Sequence, residues 1–240
     1  MLDNPPIQRG RFITFEGGEG TGKSTQTRRL VARFTALGID AIATREPGGS
    51  PGAESLRQLL LAGAVAPFGP AAEAIVFSAA RIDHLDVTIR PALTRGAFVV
   101  CDRFADSTRA YQGALGNLDP RLIRALERTT IGETRPDLTL VLDLPAEVGL
   151  ARAGARRASG AADRFEAEAL AFHQALRSTF LEIAAAEPQR CVVIDASADE
   201  EAIADAVWKT VETRLLAGAG LLDIPPLERM RKPLDRQGDG

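Results

Sequence analysis

An apolar segment, RFITFE, runs directly into GGEGTGKST and then into residues with apolar side chains at helical spacing. Gly17-Gly18-Glu19-Gly20-Thr21-Gly22-Lys23-Ser24 fits the pattern G-x-x-x-x-G-K-[ST], with a strand before it and a helix after it. Few folds accommodate that sequence of elements. Glycines allow unusual backbone angles and close approach to a ligand. Successive N–H groups then point inward, and the helix N-terminus adds positive potential. Residues Gly17 to Thr25 therefore read as a phosphate cradle, with Lys23 reaching the outer phosphates and Ser24 holding Mg²⁺ through its hydroxyl. The bland alternative is a glycine-rich turn that happens to carry Lys-Ser, and the flanking elements argue against it. Lysine occurs only at positions 23, 209 and 232, which makes Lys23 conspicuous.

The rest of the chain alternates in the same way. Strand-like runs fall at 11–16, 39–45, 97–102, 138–144 and 191–195. Helical patterns fall at 21–37, 53–61, 70–93, 146–157, 165–186 and 199–216, with a further helical region reaching to about 131. Strands separated by helices imply crossover connections and a parallel sheet with both faces covered. That explains strands that are apolar throughout rather than alternating. The expected fold is α/β, with a five-stranded parallel sheet flanked by helices on both faces. Residues 1–217 read as one domain. The segment 151–162 is small, arginine-dotted and poor in bulky apolar residues, and falls outside the alternation. The tail 218–240, rich in Gly, Pro and charge, reads as loosely ordered.

Composition narrows the partners. A formal net charge of -3 removes a global basic field for nucleic acid, and no aromatic-basic face is evident. No apolar run has transmembrane length, and the start MLDNPPIQRGR lacks a signal-peptide pattern, so the expectation is a cytoplasmic protein without a membrane. Cys101 and Cys191 sit in apolar strand-like runs and read as buried reduced thiols. His84 and His173 are isolated and read as surface or core residues.

The cradle does not name the reaction, because switch GTPases, motor ATPases and small-molecule kinases all use it. No N/T-K-x-D guanine reader is present. A small-molecule kinase needs a second anion site, and CDRF at the end of the third strand is a candidate. In open parallel sheets ligands bind at that end. Asp102 would orient Mg²⁺ through water, and Arg103 would fork onto a phosphate. The competing reading is a local Asp–Arg surface pair. Phe77 and Arg81 are four apart on a helix and share a face. A ring beside a guanidinium suits a planar base, although spacing alone favours a core phenylalanine with a solvated arginine.

The stretches FITFEGGEGTGKST, TREPGGSPGAESLRQLL, FSAARIDHL, CDRFADSTRAYQG and PDLTLVLDLPAEVGL follow one another in order. Together they resemble the bacterial thymidylate kinases from about residue 12 to residue 196. The resemblance implies phosphoryl transfer from ATP to dTMP, giving dTDP and ADP on the way to dTTP. It also implies a homodimer. Its implied acceptor site has Glu19 near the 3′-hydroxyl and phosphate, Arg57 and Arg103 on the phosphate, and Pro47 shaping one wall. Phe77 would stack on thymine and Arg81 would bond its O4. Thr108 and Gln112 would contact the base, supported by Ser107. Tyr111 would pack on the sugar and crowd a 2′-hydroxyl.

The resemblance implies a P-loop nucleotide kinase with a small lid at about 151–163, of the type that carries its extra arginine in that lid. Gly20 stands where the other type has arginine, and Arg152, Arg156 and Arg157 lie in the lid segment, with Arg156 and Arg157 the candidates for the transferring phosphoryl group. Phe104 departs from the family's more usual tyrosine or histidine. Three rivals remain at this level: a kinase of the same fold for another nucleotide, a slow regulatory ATPase, and a nucleic-acid-binding module.

Overall fold

The computed structural model describes residues 9–156, 165 and 167–217. Five strands, β1 (Phe12–Glu16), β2 (Ala41–Arg45), β3 (Phe98–Asp102), β4 (Leu138–Asp143) and β5 (Cys191–Asp195), form one sheet in the order β2-β3-β1-β4-β5. Every neighbouring pair is parallel, so each connection needs a crossover. From β1 the chain leaves for one edge, and from β3 it crosses to the other side of β1. That reversal opens a crevice at the carboxyl ends of β1, β3 and β4. Register brings the chemistry to one place. Phe15 pairs with Asp102 and Glu16 with Val141, so the cradle and the DR turn start side by side.

The central strand is buried on both faces. Ile13 and Phe15 face a core with Leu30, Phe34, Leu140 and Trp208. Phe12 faces the opposite core with Leu85, Ile89 and Phe104. Alternate side chains of one strand thus serve two helical layers. Helix α1 (Lys23–Ala36) buries Leu30 and Phe34 against the first layer and stops before Gly38, where φ is +74°. Helix α9 (Glu200–Val211), capped by Asp199 accepting from Ala202 N–H, closes the same face.

The segment expected as one helix over 70–93 contains an interruption. Helix α3 (Gly69–His84) passes into a π-helical turn, Leu85–Ile89, before α4 (Arg90–Thr94). Pro91 has no N–H to donate back along the helix, and the wider turn directly precedes it. The helical region after β3 is also divided. A short α5 (Ala105–Thr108) runs into a π-helical stretch, Arg109–Leu115, and α6 (Pro120–Thr130) restarts after Asp119 caps it. Helix α8 (Leu170–Ala186) begins later than the pattern from 165 suggested, leaving Phe165 in a turn. Residues 151–156 of the expected lid belong to helix α7 (Ala146–Arg156). There Arg152 Nη1 donates to Ala196 O at 2.9 Å, an anchoring contact at the loop after β5. Arg157, the rest of the lid and the tail 218–240 lie outside the described residues, as does the Arg156 side chain.

Both cysteines are free and buried. His84 and His173 are both buried, resolving their reading in favour of the core. Among the described residues no single helix is long and apolar enough to cross a membrane.

Candidate active site

The cradle leaves the carboxyl end of β1 with positive φ at Gly17, Gly20 and Gly22. Gly20 is fixed by contact as well as by angle. A Cβ there would sit 1.9 Å from the carbonyl oxygen of Gly149 on α7, so this position excludes a side chain of any size. Lys23 starts α1 and is almost wholly buried. Its Nζ donates to Gly17 O at 3.1 Å and Gly18 O at 2.6 Å, folding the loop around the ammonium. Burial, and then the neighbouring Arg103, push its pKa down to about 8. Thr21 Oγ1 donates to Gly18 O at 3.1 Å, and Thr25 N–H returns to Gly22 O at 3.0 Å, which starts the helix. Ser24 Oγ donates to Asp102 Oδ2 across the gap between β1 and β3.

Opposite the cradle stands Arg103. It has φ +69°, uncommon for a residue with a side chain. Its backbone N–H donates to Phe15 O at 2.9 Å, continuing the sheet pairing by one step. Its guanidinium reaches back to the cradle. Nη1 donates to Gly17 O at 3.1 Å and Ser107 Oγ at 3.3 Å, and Nη2 meets Glu19 Oε1 at 2.5 Å. Tyr111 OH donates to the same Glu19 oxygen at 2.9 Å. Burial alone would raise the Glu19 pKa, but Arg103 and Lys23 outweigh it and hold the carboxyl at about 2. Burial pushes the Tyr111 phenol well up, so it remains a donor.

Between these groups lies a cavity of about 270 Å³, lined on one side by Lys23, Ser24, Asp102 and Arg103. Its other walls carry Pro47, Arg57, Phe77, Arg81, Thr108 and Gln112, with Glu19, Gly20, Gly22, Ser107 and Tyr111 between the two sides. Gly17, Gly18, Thr21 and Thr25 belong to the same loop and first helical turn but do not line the cavity. The structure therefore gathers the expected acceptor residues from five separate segments into one chamber. Arg57 Nη1 donates to Pro47 O at 2.6 Å, tying α2 (Pro51–Leu61) to the Glu46–Gly49 turn. Phe77 faces Phe165 with centroids 6.2 Å apart. Phe165 also meets the edge of Tyr111 at 5.4 Å. Gln112 Nε2 approaches Glu73 Oε2 at 3.4 Å.

Arg81 is a core guanidinium rather than a solvated one. Its Nε donates to Glu46 Oε2 at 2.8 Å, and its Nη2 donates to Thr108 Oγ1 at 3.0 Å and Phe104 O at 3.2 Å. Among the described residues Nη1 makes no hydrogen bond, and the residue lines the cavity.

Sequence reasoning missed four residues of this arrangement. Glu46 holds Arg81 from behind and is itself met by His84 Nδ1, and Phe165 adds a third aromatic wall. Glu16 is buried behind Arg103, accepting from Phe104 N–H at 2.8 Å and Ser107 Oγ at 2.6 Å. Burial first, and then Asp106, push its pKa up to about 7. Glu46 stood within a quoted motif, and Glu16 directly precedes the cradle. An acidic residue at the end of an apolar strand was the available signal.

Among the described residues no group of three or more His, Cys, Asp or Glu side chains converges as a metal cage. The Ser24–Asp102 pair instead offers a hydroxyl ligand and a carboxylate to receive metal-bound water at the mouth of the cradle. That suits Mg²⁺, which takes few protein ligands and completes its shell with phosphate and water.

Known proteins resemble this chain over most of its length. The family model described as "Thymidylate kinase" matches residues 15–207. A thymidylate kinase of Bradyrhizobium diazoefficiens is 59% identical over 208 residues, 87% of this chain and 91% of that protein. One from Rhodopseudomonas palustris is 56% identical over 223 residues, 91% of this chain and 97% of its own length. The crystal structure of thymidylate kinase from Ehrlichia chaffeensis superposes with a TM-score of 0.69 at 31% identity, covering 85% of this chain and 99% of that one.

Proposed function

The chain belongs to the thymidylate kinase family, and from that membership we propose how its chamber carries the reaction. The enzyme is an ATP-dependent phosphotransferase acting on dTMP, with dTDP and ADP as products. The observation that most supports the assignment of roles is the single cavity shared by Lys23 and Arg81.

On this reading ATP lies with its phosphates in the cradle, and dTMP enters between Phe77 and Tyr111. An oxygen of the dTMP phosphate bonds to the γ-phosphorus while the bond from that phosphorus to the β,γ-bridging oxygen breaks. ADP leaves with that oxygen. The protein supplies positioning and charge rather than covalent chemistry. Both reactants are anions, so their approach needs cations. Lys23 serves the donor phosphates, Arg57 and Arg103 the acceptor phosphate, and Glu19 orients Arg103 and meets the 3′-hydroxyl. Arg81, with Thr108 and Gln112, reads the thymine edge while Phe77 stacks on its face. Tyr111 walls the sugar. Ser24 and Asp102, the latter through water, would hold Mg²⁺, which when bound neutralises phosphate charge. Arg156 and Arg157 are assigned to the phosphoryl group in transfer.

Three further expectations belong to the same reading. Residues 1–217 form the kinase domain, with 218–240 an appended tail. The enzyme works in the cytoplasm, consistent with its two free thiols. It acts as a homodimer through α3 and the turns beside it, where Phe68, Ile75 and Ile82, seven apart in sequence, are 75%, 53% and 40% exposed. An apolar row of that kind suits a second copy of the chain.

The test is ADP production from ATP and Mg²⁺ with each nucleoside monophosphate supplied in turn. Turnover should appear with dTMP and be far weaker with purine monophosphates. ATP consumption indifferent to the acceptor would replace this reading with that of a regulatory ATPase.

A further inference from the structure

Glu16 is the last residue of β1, wholly buried, and directly precedes the cradle. The roles assigned above do not use it. Its carboxylate turns toward the segment after β3. Oε1 accepts from the backbone N–H of Phe104 at 2.8 Å and of Ser107 at 3.2 Å. Oε2 accepts from Ser107 Oγ at 2.6 Å, and that hydroxyl oxygen in turn accepts from Arg103 Nη1 at 3.3 Å. Arg103 carries the left-handed backbone, a conformation that persists only where its surroundings hold it. The three contacts to Glu16 fall on the residues that follow it.

We propose that Glu16 is the positioning residue of the acceptor half: it grips the turn after Arg103 and fixes the Ser107 hydroxyl as an acceptor, so that the Arg103 guanidinium is aimed at the acceptor phosphate. The inference rests on the reading of Arg103 as a phosphate ligand.

The polarity of the hydrogen bonds carries the argument. An ionised Glu16 accepts the Ser107 hydroxyl proton and leaves the oxygen lone pairs for Arg103. A neutral amide of the same shape still accepts both backbone N–H groups through its oxygen. Its nitrogen, however, donates toward Ser107 Oγ and leaves the hydroxyl proton without that acceptor. The carboxylate is also expensive to keep. Burial and Asp106 both oppose its charge, while Ser107, Arg103 and the Phe104 N–H favour it. The ionised form therefore prevails above about pH 7, and it is the form whose two oxygens match the three donors on Phe104 and Ser107.

The experiment compares wild type, Glu16→Gln, Ser107→Ala and Arg103→Ala as full-length chains, measuring Tm, kcat, and KM for each substrate about one unit above the Glu16 pKa of about 7. Glu16→Gln should melt no lower than wild type, yet lose about tenfold or more in kcat/KM for dTMP with KM for ATP within about twofold. Ser107→Ala should show the same split with a smaller loss. A Glu16→Gln enzyme within about twofold of wild type for dTMP overturns the inference. So does a variant that fails to fold, or one whose Tm falls while both substrates weaken equally, since either outcome makes Glu16 structural. Arg103→Ala separates the two claims: if it keeps wild-type kcat/KM for dTMP, the acceptor-site reading itself is wrong.

Discussion

Arg81 and Glu46 form an ion pair with Nε 2.8 Å from Oε2 and side chains only 3% and 5% exposed. The second Glu46 oxygen faces His84 Nδ1 at 3.2 Å, and His84 Nε2 meets Thr44 Oγ1 at 2.6 Å. The guanidinium is thus held by Glu46 and by Phe104 O and Thr108 Oγ1 after β3, while His84 and Thr44 brace Glu46, and its remaining edge faces the cavity.

Replacing Glu46 by alanine leaves a buried guanidinium without its counter-ion. Breaking a buried pair from one side costs about 3–5 kcal/mol, and the reorganised arginine weakens the base site as well. Denaturant unfolding should register a loss of that order, and KM for dTMP should rise. A loss below about 1 kcal/mol, the range of an exposed pair, would mean that Glu46 does not hold Arg81.

Lys23 gives a prediction in pH. Burial and Arg103 lower its folded pKa to about 8, below its usual 10.5. The free enzyme loses this positive charge as pH rises through about 8, so kcat/KM for ATP should decline there. Stability responds with the opposite sign. Between about 8 and 10.5 the unfolded chain binds the proton that the folded chain has released, so Lys23's contribution to stability rises with pH across that window. Lys23→Met should abolish both responses, as measured by rate profiles and unfolding at several pH values. An unchanged unfolding slope in the variant would contradict the lowered pKa.

Much of this was legible because it is local. The glycines, Lys23 and the flanking elements of the cradle occupy consecutive positions. All five strands fall within two residues of their expected starts, because apolar runs bounded by Gly, Pro and charge announce themselves. The helix faces behaved likewise: Phe77 and Arg81 both line the cavity. What escaped was non-local. Glu16 looks like the polar end of a strand until Ser107 and Phe104 are brought to it from the far side of β3. Glu46 meets Arg81 and His84 only when α3 packs beside the end of β2. Arg152 was grouped with the lid by composition, but helix α7 carries it to Ala196 O instead. Phe165 continued a helical pattern, yet it stands in a turn beside Tyr111 and Phe77.

The apolar row on α3 predicts association. Wild type should sediment near twice the chain mass of 25.5 kDa. Ile75→Asp, which places a charge among exposed apolar groups, should shift it toward the monomer while leaving the helix intact. Both proteins sedimenting as monomers at micromolar concentration would remove the homodimer from the account.

The central claim is that dTMP is read in the chamber that Arg81 lines. It is tested most directly by kcat/KM for dTMP, dUMP, dCMP and dGMP in wild type and in Arg81→Ala. Wild type should prefer dTMP to dUMP by roughly 10- to 200-fold, the worth of one methyl in an apolar pocket. It should prefer dTMP to the other two by more. Arg81→Ala should lose most of its kcat/KM for dTMP through KM, with KM for ATP little changed. A variant that phosphorylates dTMP as well as wild type does would place the acceptor base somewhere other than this cavity.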